Sequence, residues 1–231
     1  MFTWFDLAWP WIGLGFAAVL AVLLFATPLL RGDPALPRRH DLRWLSFLAT
    51  AVYMVHNVEE YGIAANGVAH AFPDSLCELL GQPAYPGCAI PAPFFLFVNL
   101  PLVWILGPVA AGLSRRFPLA GMVLWGVTGV NTLAHVVPAI LKREYDPGLL
   151  TAVVLFAPLT VLAFRAVLRT YRRPAVAVLM AAGGFVHAVL AGSLLLYLNG
   201  LIPSWLLYTL QPLSMTAVYL AVRANENRLR R

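Results

Sequence analysis

The side chains with the most chemistry in them fall inside apolar stretches. His56, Asn57, Glu59 and Glu60 form the string HNVEEY, Asn131 and His135 occur in NTLAH, and His187 ends GGFVH. On a helix, His56 shares a face with Glu59 at i, i+3 and with Glu60 at i, i+4; Asn131 and His135 are likewise one turn apart. A histidine and a carboxylate at these spacings on a bundle helix can hold a metal ion between them. An ionisable group inside a bilayer costs several kcal/mol, so each is read first as a functional group.

Three chemistries fit that set. In the first, His56, His135 and His187 with Glu59 or Glu60 supply nitrogen and oxygen ligands, a set that suits zinc or iron. The other glutamate then serves as base or bridging ligand, and Asn131 supports the ligands. In the second, no metal takes part. A buried glutamate protonates an alkene, as in a lipid isomerase or terpene cyclase, and Tyr53, Tyr61, Trp104 and Trp125 shield the cation formed. In the third, the same groups relay protons in a transporter. The metal-dependent enzyme is preferred, with Glu59, Glu60, His56, Asn131 and His135 as catalytic residues and His56, Glu59, Glu60, His135 and His187 as metal ligands. Its substrate is lipophilic, a lipid or isoprenoid arriving from the membrane. Asn99 and Gln211 read as packing or pathway residues.

The elements that must position these groups are membrane helices. Of 231 residues, 61% are apolar and only 11% charged, where a soluble domain of this size carries about 25% charged residues. Runs of about 20 apolar residues read as spans, and seven are expected, at 7–30, 43–65, 92–113, 118–141, 148–168, 174–198 and 202–222. The fold class is an all-α seven-helix membrane bundle in one domain. The net charge of +6 does not point to nucleic acid. Its arginines sit in short clusters between apolar runs, such as Arg38 and Arg39, Arg115 and Arg116, and Arg228 to Arg231. That alternation sets the N-terminus outside and the C-terminus inside, and the expected location is the bacterial cytoplasmic membrane. Cys77 and Cys88 share the outer loop 66–91; they form a disulfide or stand as two thiols, depending on the compartment.

Depth links the spans to the chemistry. His56, Asn131 and His187 each lie thirteen residues beyond the expected inner end of their span, at 43, 118 and 174. A rise of about 1.5 Å per residue sets all three roughly 20 Å from the inner boundary. Glu59, Glu60 and His135 lie about one turn further out. Six polar groups on three helices therefore form two adjacent layers.

The string His56-x-x-Glu59-Glu60 resembles the signature of the HXXEE family, bacterial and archaeal membrane proteins named for it. Asn131, His135 and the turn Tyr145-Asp146-Pro147-Gly148 are similar to other features of that family, and the resemblance covers roughly residues 40–165. It implies a membrane protein and no particular activity.

Overall fold

The computed structural model describes residues 2–231, and it is all-helical, with no β-strand among the described residues. The helices are α1 (Trp4–Ala26), α2 (Leu42–Tyr61), α3 (Ala71–Leu79), α4 (Pro93–Leu113), α5 (Pro118–Lys142), α6 (Leu149–Thr170), α7 (Pro174–Leu198) and α8 (Ser204–Leu229). Six of them, α1 and α4 to α8, are long and apolar enough to cross a membrane, which identifies an integral membrane protein.

The remaining long helix, α2, is the hub. All but three of its twenty residues are buried, and it packs against α1, α4, α5 and α6. Asp41 starts it: one carboxylate oxygen accepts the Arg43 and Trp44 N–H groups, and the other accepts those of Gly32 and Asp33. This satisfies the otherwise unpaired first-turn donors and ties the preceding loop to the helix. The polar string at its far end, His56 to Glu60, is shielded by the apolar helices around it rather than by its own hydropathy.

Prolines shape α4 and α6. Residues Leu100–Leu106 and Ala152–Phe156 are wound as π-helix, and each segment ends two residues before a proline, Pro108 or Pro158. A proline has no N–H for the carbonyl four residues back and its ring crowds that carbonyl. The carbonyls in question belong to Trp104 and Val154, inside the widened segments. The helices answer by widening rather than breaking. Pro138 and Pro212 lie inside α-helical segments.

The crossing of α5 and α7 depends on having no side chain at two positions. A methyl group on Gly183 would collide with the Gly126 carbonyl, and one on Gly126 with the Leu179 carbonyl. Close approach through small residues is how membrane helices gain packing energy, and here it brings Asn131 beside His187. Outside the bundle, the loop after α2 carries the short helix α3, where sequence reading expects only loop. Cys77 of α3 is disulfide-bonded to Cys88.

Gly183→Ala must push the two helices apart. Its expected cost is about 1–3 kcal/mol, read as a lower melting temperature of the detergent-solubilised protein; an unchanged melting temperature would contradict the close crossing.

Candidate functional site

Three buried side chains from two helices converge at one point. Glu60 Oε1 lies 3.4 Å from His56 Nε2, one turn back on α2, and 3.2 Å from His135 Nε2 on α5. The His56 and His135 rings stand 5.0 Å apart between centroids. None of the three is more than 5% exposed.

The other nitrogen of each ring is occupied from behind. His135 Nδ1 is 2.5 Å from Asp146 Oδ2; a carboxylate accepts, so Nδ1 donates. His56 Nδ1 is 2.7 Å from Thr151 Oγ1. The single hydroxyl proton of Thr151 goes to Glu59 Oε2, so here too Nδ1 is the donor. A neutral imidazole with a proton on Nδ1 keeps a lone pair on Nε2. With both rings neutral, the two Nε2 lone pairs face the Glu60 carboxylate. Asn131 Nδ2 donates to His56 Nε2 at 3.1 Å, whereas His135 Nε2 is buried with no hydrogen-bond partner.

Glu59 points elsewhere. Its two oxygens accept the Tyr145 hydroxyl, the Leu150 N–H at 2.9 Å, the Thr151 N–H at 2.6 Å and the Thr151 hydroxyl. It thus caps the first turn of α6, where backbone donors lack intrahelical partners and negative charge is favoured. Tyr145 lies in the turn outside the spans; burial, and then the Glu59 carboxylate, push its phenol above the usual range, so it stays a donor. The turn itself needs glycine. Gly148 has φ +99°, and a Cβ there would come within 2.6 Å of His135 Cε1 and 2.9 Å of His56 Cε1.

The convergence point opens on a cavity of about 280 Å³. Its walls are mainly apolar, with Phe72, Leu76, Phe94, Phe95 and Leu190 among them. Tyr53, Tyr61, Asn99, Asn131 and His187 add neutral polar groups, and Glu60, His135 and Asp146 form one end.

The family described as a protein of unknown function with HXXEE motif matches residues 47–163. The chain belongs to the HXXEE family. No curated protein and no solved structure matches it.

In this HXXEE protein the motif divides its labour. His56 and Glu60 meet His135 at the convergence point, and Glu59 secures the turn that holds them. His187 sits behind Asn131, its Nε2 3.4 Å from Asn131 Oδ1 and its Nδ1 2.9 Å from the Gly183 carbonyl. The site group that can share one ion is therefore His56, Glu60 and His135; Glu59 and His187, expected as ligands, are not among its members. Trp104 and Trp125, expected to shield a cation, do not line the cavity. Trp125 instead donates to the Leu45 carbonyl at 2.9 Å, and Trp104 packs over Gly13. Gln211 is bound to Ser193 on α7 at 3.0 Å.

Sequence reasoning missed Asp146 and Thr151 as partners of the histidines. Asp146 lies in the connection after α5, where helical periodicity says nothing, and Thr151 lies in the first turn of α6, where periodicity does not tell one threonine from another. The available signal was the Tyr145–Gly148 turn itself, an acidic residue and a glycine directly after the His135 helix.

Glu59→Gln sets an amide N–H₂ against N–H and O–H donors and frees Thr151. The expected result is a loss of about 1–3 kcal/mol of stability, measured by thermal unfolding in detergent. Unchanged stability would show that the capping bonds carry nothing.

Proposed function

We propose that this HXXEE protein is an intramembrane enzyme acting on a lipophilic substrate, a lipid or isoprenoid, with a zinc or iron ion held by His56, Glu60 and His135. The observation that carries the reading is the convergence of two imidazole nitrogens on one carboxylate oxygen, with His135 Nε2 buried and without a hydrogen-bond partner. With both rings neutral, the His135 lone pair and the carboxylate repel unless a cation lies between them. Two of its three edges suit one: metal–nitrogen and metal–oxygen bonds of about 2.0–2.1 Å give tetrahedral ligand–ligand edges of about 3.3 Å, against 3.2 and 3.4 Å from Glu60 to the two histidines, and the three ligand atoms lie within 4.8 Å of one another. The carboxylate and hydroxyl behind the two rings are the supports that metal-bound histidines use to fix tautomer and orientation. Zinc in such a site would lower the pKa of a bound water to about 7 and polarise a carbonyl; iron would serve oxidation. Around that centre, Phe156 and Phe72 pack against the histidine rings and exclude bulk water. Asn131 of α5 reaches the same point through His56 Nε2.

We take α2 as a seventh crossing, with the N-terminus outside and the C-terminus in the cytoplasm of a bacterial cell. Supporting this orientation, the arginine clusters lie at one end of the helices and the Cys77–Cys88 disulfide at the other, where an oxidising compartment sustains it. The catalytic end of the cavity then lies in the outer half of the membrane.

A metal-free reading has one observation in its favour. His135 sits between two carboxylates, Glu60 and Asp146, so a proton in place of a metal ion would also relieve the convergence. The chain would then be an acid–base isomerase or cyclase.

Elemental analysis of protein purified without chelator separates the two. The metal reading expects near-stoichiometric zinc or iron in the wild type and in His187→Ala, and its loss in His135→Ala. A folded wild type without metal transfers the assignment to acid–base chemistry.

A further inference from the structure

Resting on the reading of the cavity as the substrate site, we infer that the substrate is an uncharged amphiphile, a long-chain alcohol or its ester, and carries no phosphate or carboxylate. Two features of the walls lead there.

The first is the charge of the cavity. Among the described residues lining it there is no arginine and no lysine. Its charged end holds two carboxylates, Glu60 and Asp146. A divalent ion bound by His56, Glu60 and His135 would be neutralised by that pair, leaving no positive charge for an anionic headgroup. A phosphate or carboxylate buried there would be unpaired, and burial of an unpaired charge is costly. Of the remaining polar groups, Tyr53, Tyr61, Ser75, Asn99, Asn131 and His187, the hydroxyls and amides suit a hydroxyl or ester oxygen.

The second is the approach from outside. A polar cleft of about 380 Å³ lies against the cavity, and Ser75, Pro138 and Asp146 belong to the walls of both. Helix α3 divides the two spaces: Phe72, Leu76 and Leu79 face the cavity, while Asp74 and Glu78 face the cleft. With Glu144 and Asp146, the cleft carries four carboxylates against the single cation Lys142. Asp74 accepts the Tyr85 N–H and Asp146 holds His135, while Glu78 and Glu144 stand exposed. An anionic headgroup is thus repelled on the way in as well as at the reacting end.

The test uses three ten-carbon probes bearing the same photoreactive group: decanol, decanoate and decyl phosphate. Each is cross-linked to the full-length protein in nanodiscs of neutral lipid, and labelled peptides are mapped by mass spectrometry. The expected result is labelling of α3, α4 and α7 at the cavity by the alcohol, at least about tenfold over either anion, the ratio that 1.4 kcal/mol gives. Leu190→Trp, or Val98→Trp should the first variant fail to fold, fills the cavity and is expected to remove the labelling. Equal or stronger labelling by either anion overturns the inference, as does the absence of cavity labelling by all three. Alcohol labelling that persists in Glu60→Gln and in a wild type free of metal keeps the substrate class and rejects the metal.

Discussion

Two imidazole Nε2 atoms and one carboxylate oxygen converge near the C-terminal end of α2, all three groups buried. The rest of the structure is arranged so that they cannot turn away. Asp146 fixes one ring and Thr151 the other, both through Nδ1. Glu59, by taking the Thr151 proton, decides which way the His56 hydrogen bond runs. Three groups that never reach the convergence point thus orient what it presents.

That constraint explains features that look expensive in isolation. A helix with two glutamates, a histidine and an asparagine in its last turns is a poor membrane helix by itself. It is tolerated because α2 is enclosed by its neighbours, with its first-turn donors satisfied by Asp41 and the Glu59 carboxylate by donors of residues 145–151. The turn can approach the histidines only because Gly148 has no Cβ and adopts a backbone conformation that other residues strain to reach. A second buried carboxylate follows the same logic at the far end. Glu226 of α8 accepts the Leu119 N–H and the Tyr171 hydroxyl, closing the start of α5 much as Glu59 closes the start of α6.

Much of this was legible in the sequence because it follows from helical period and rise. Apolar runs located the long helices to within a few residues at most ends; the stretch expected at 118–141 is Pro118–Lys142. The equal depth of His56, Asn131 and His187 is reproduced as the chain of contacts from His56 through Asn131 to His187. Periodicity could not separate Glu59 from Glu60, since both lie within one turn of His56. The choice between them is made by a turn 86 residues away in the chain. Nor could it find Asp146 or α3, which lie in connections where tertiary contacts, not period, set the conformation, or the pairing of Thr151 in α6 with groups on α2. The π-helical segments were hidden for a related reason: a proline announces a lost hydrogen bond, but the neighbouring helices decide whether the chain bends or widens.

The central claim is that the convergence of His56, Glu60 and His135 is a cation site that stabilises the fold when filled. It is tested most directly by the melting temperature of chelator-treated protein before and after addition of zinc or ferrous iron. A ligand at 100 times its Kd adds about 2.7 kcal/mol, roughly 5–10 °C for a chain of this length. The account predicts such a rise for the wild type and none for Glu60→Gln. No rise with either metal in the wild type, or an equal rise in Glu60→Gln, would contradict it.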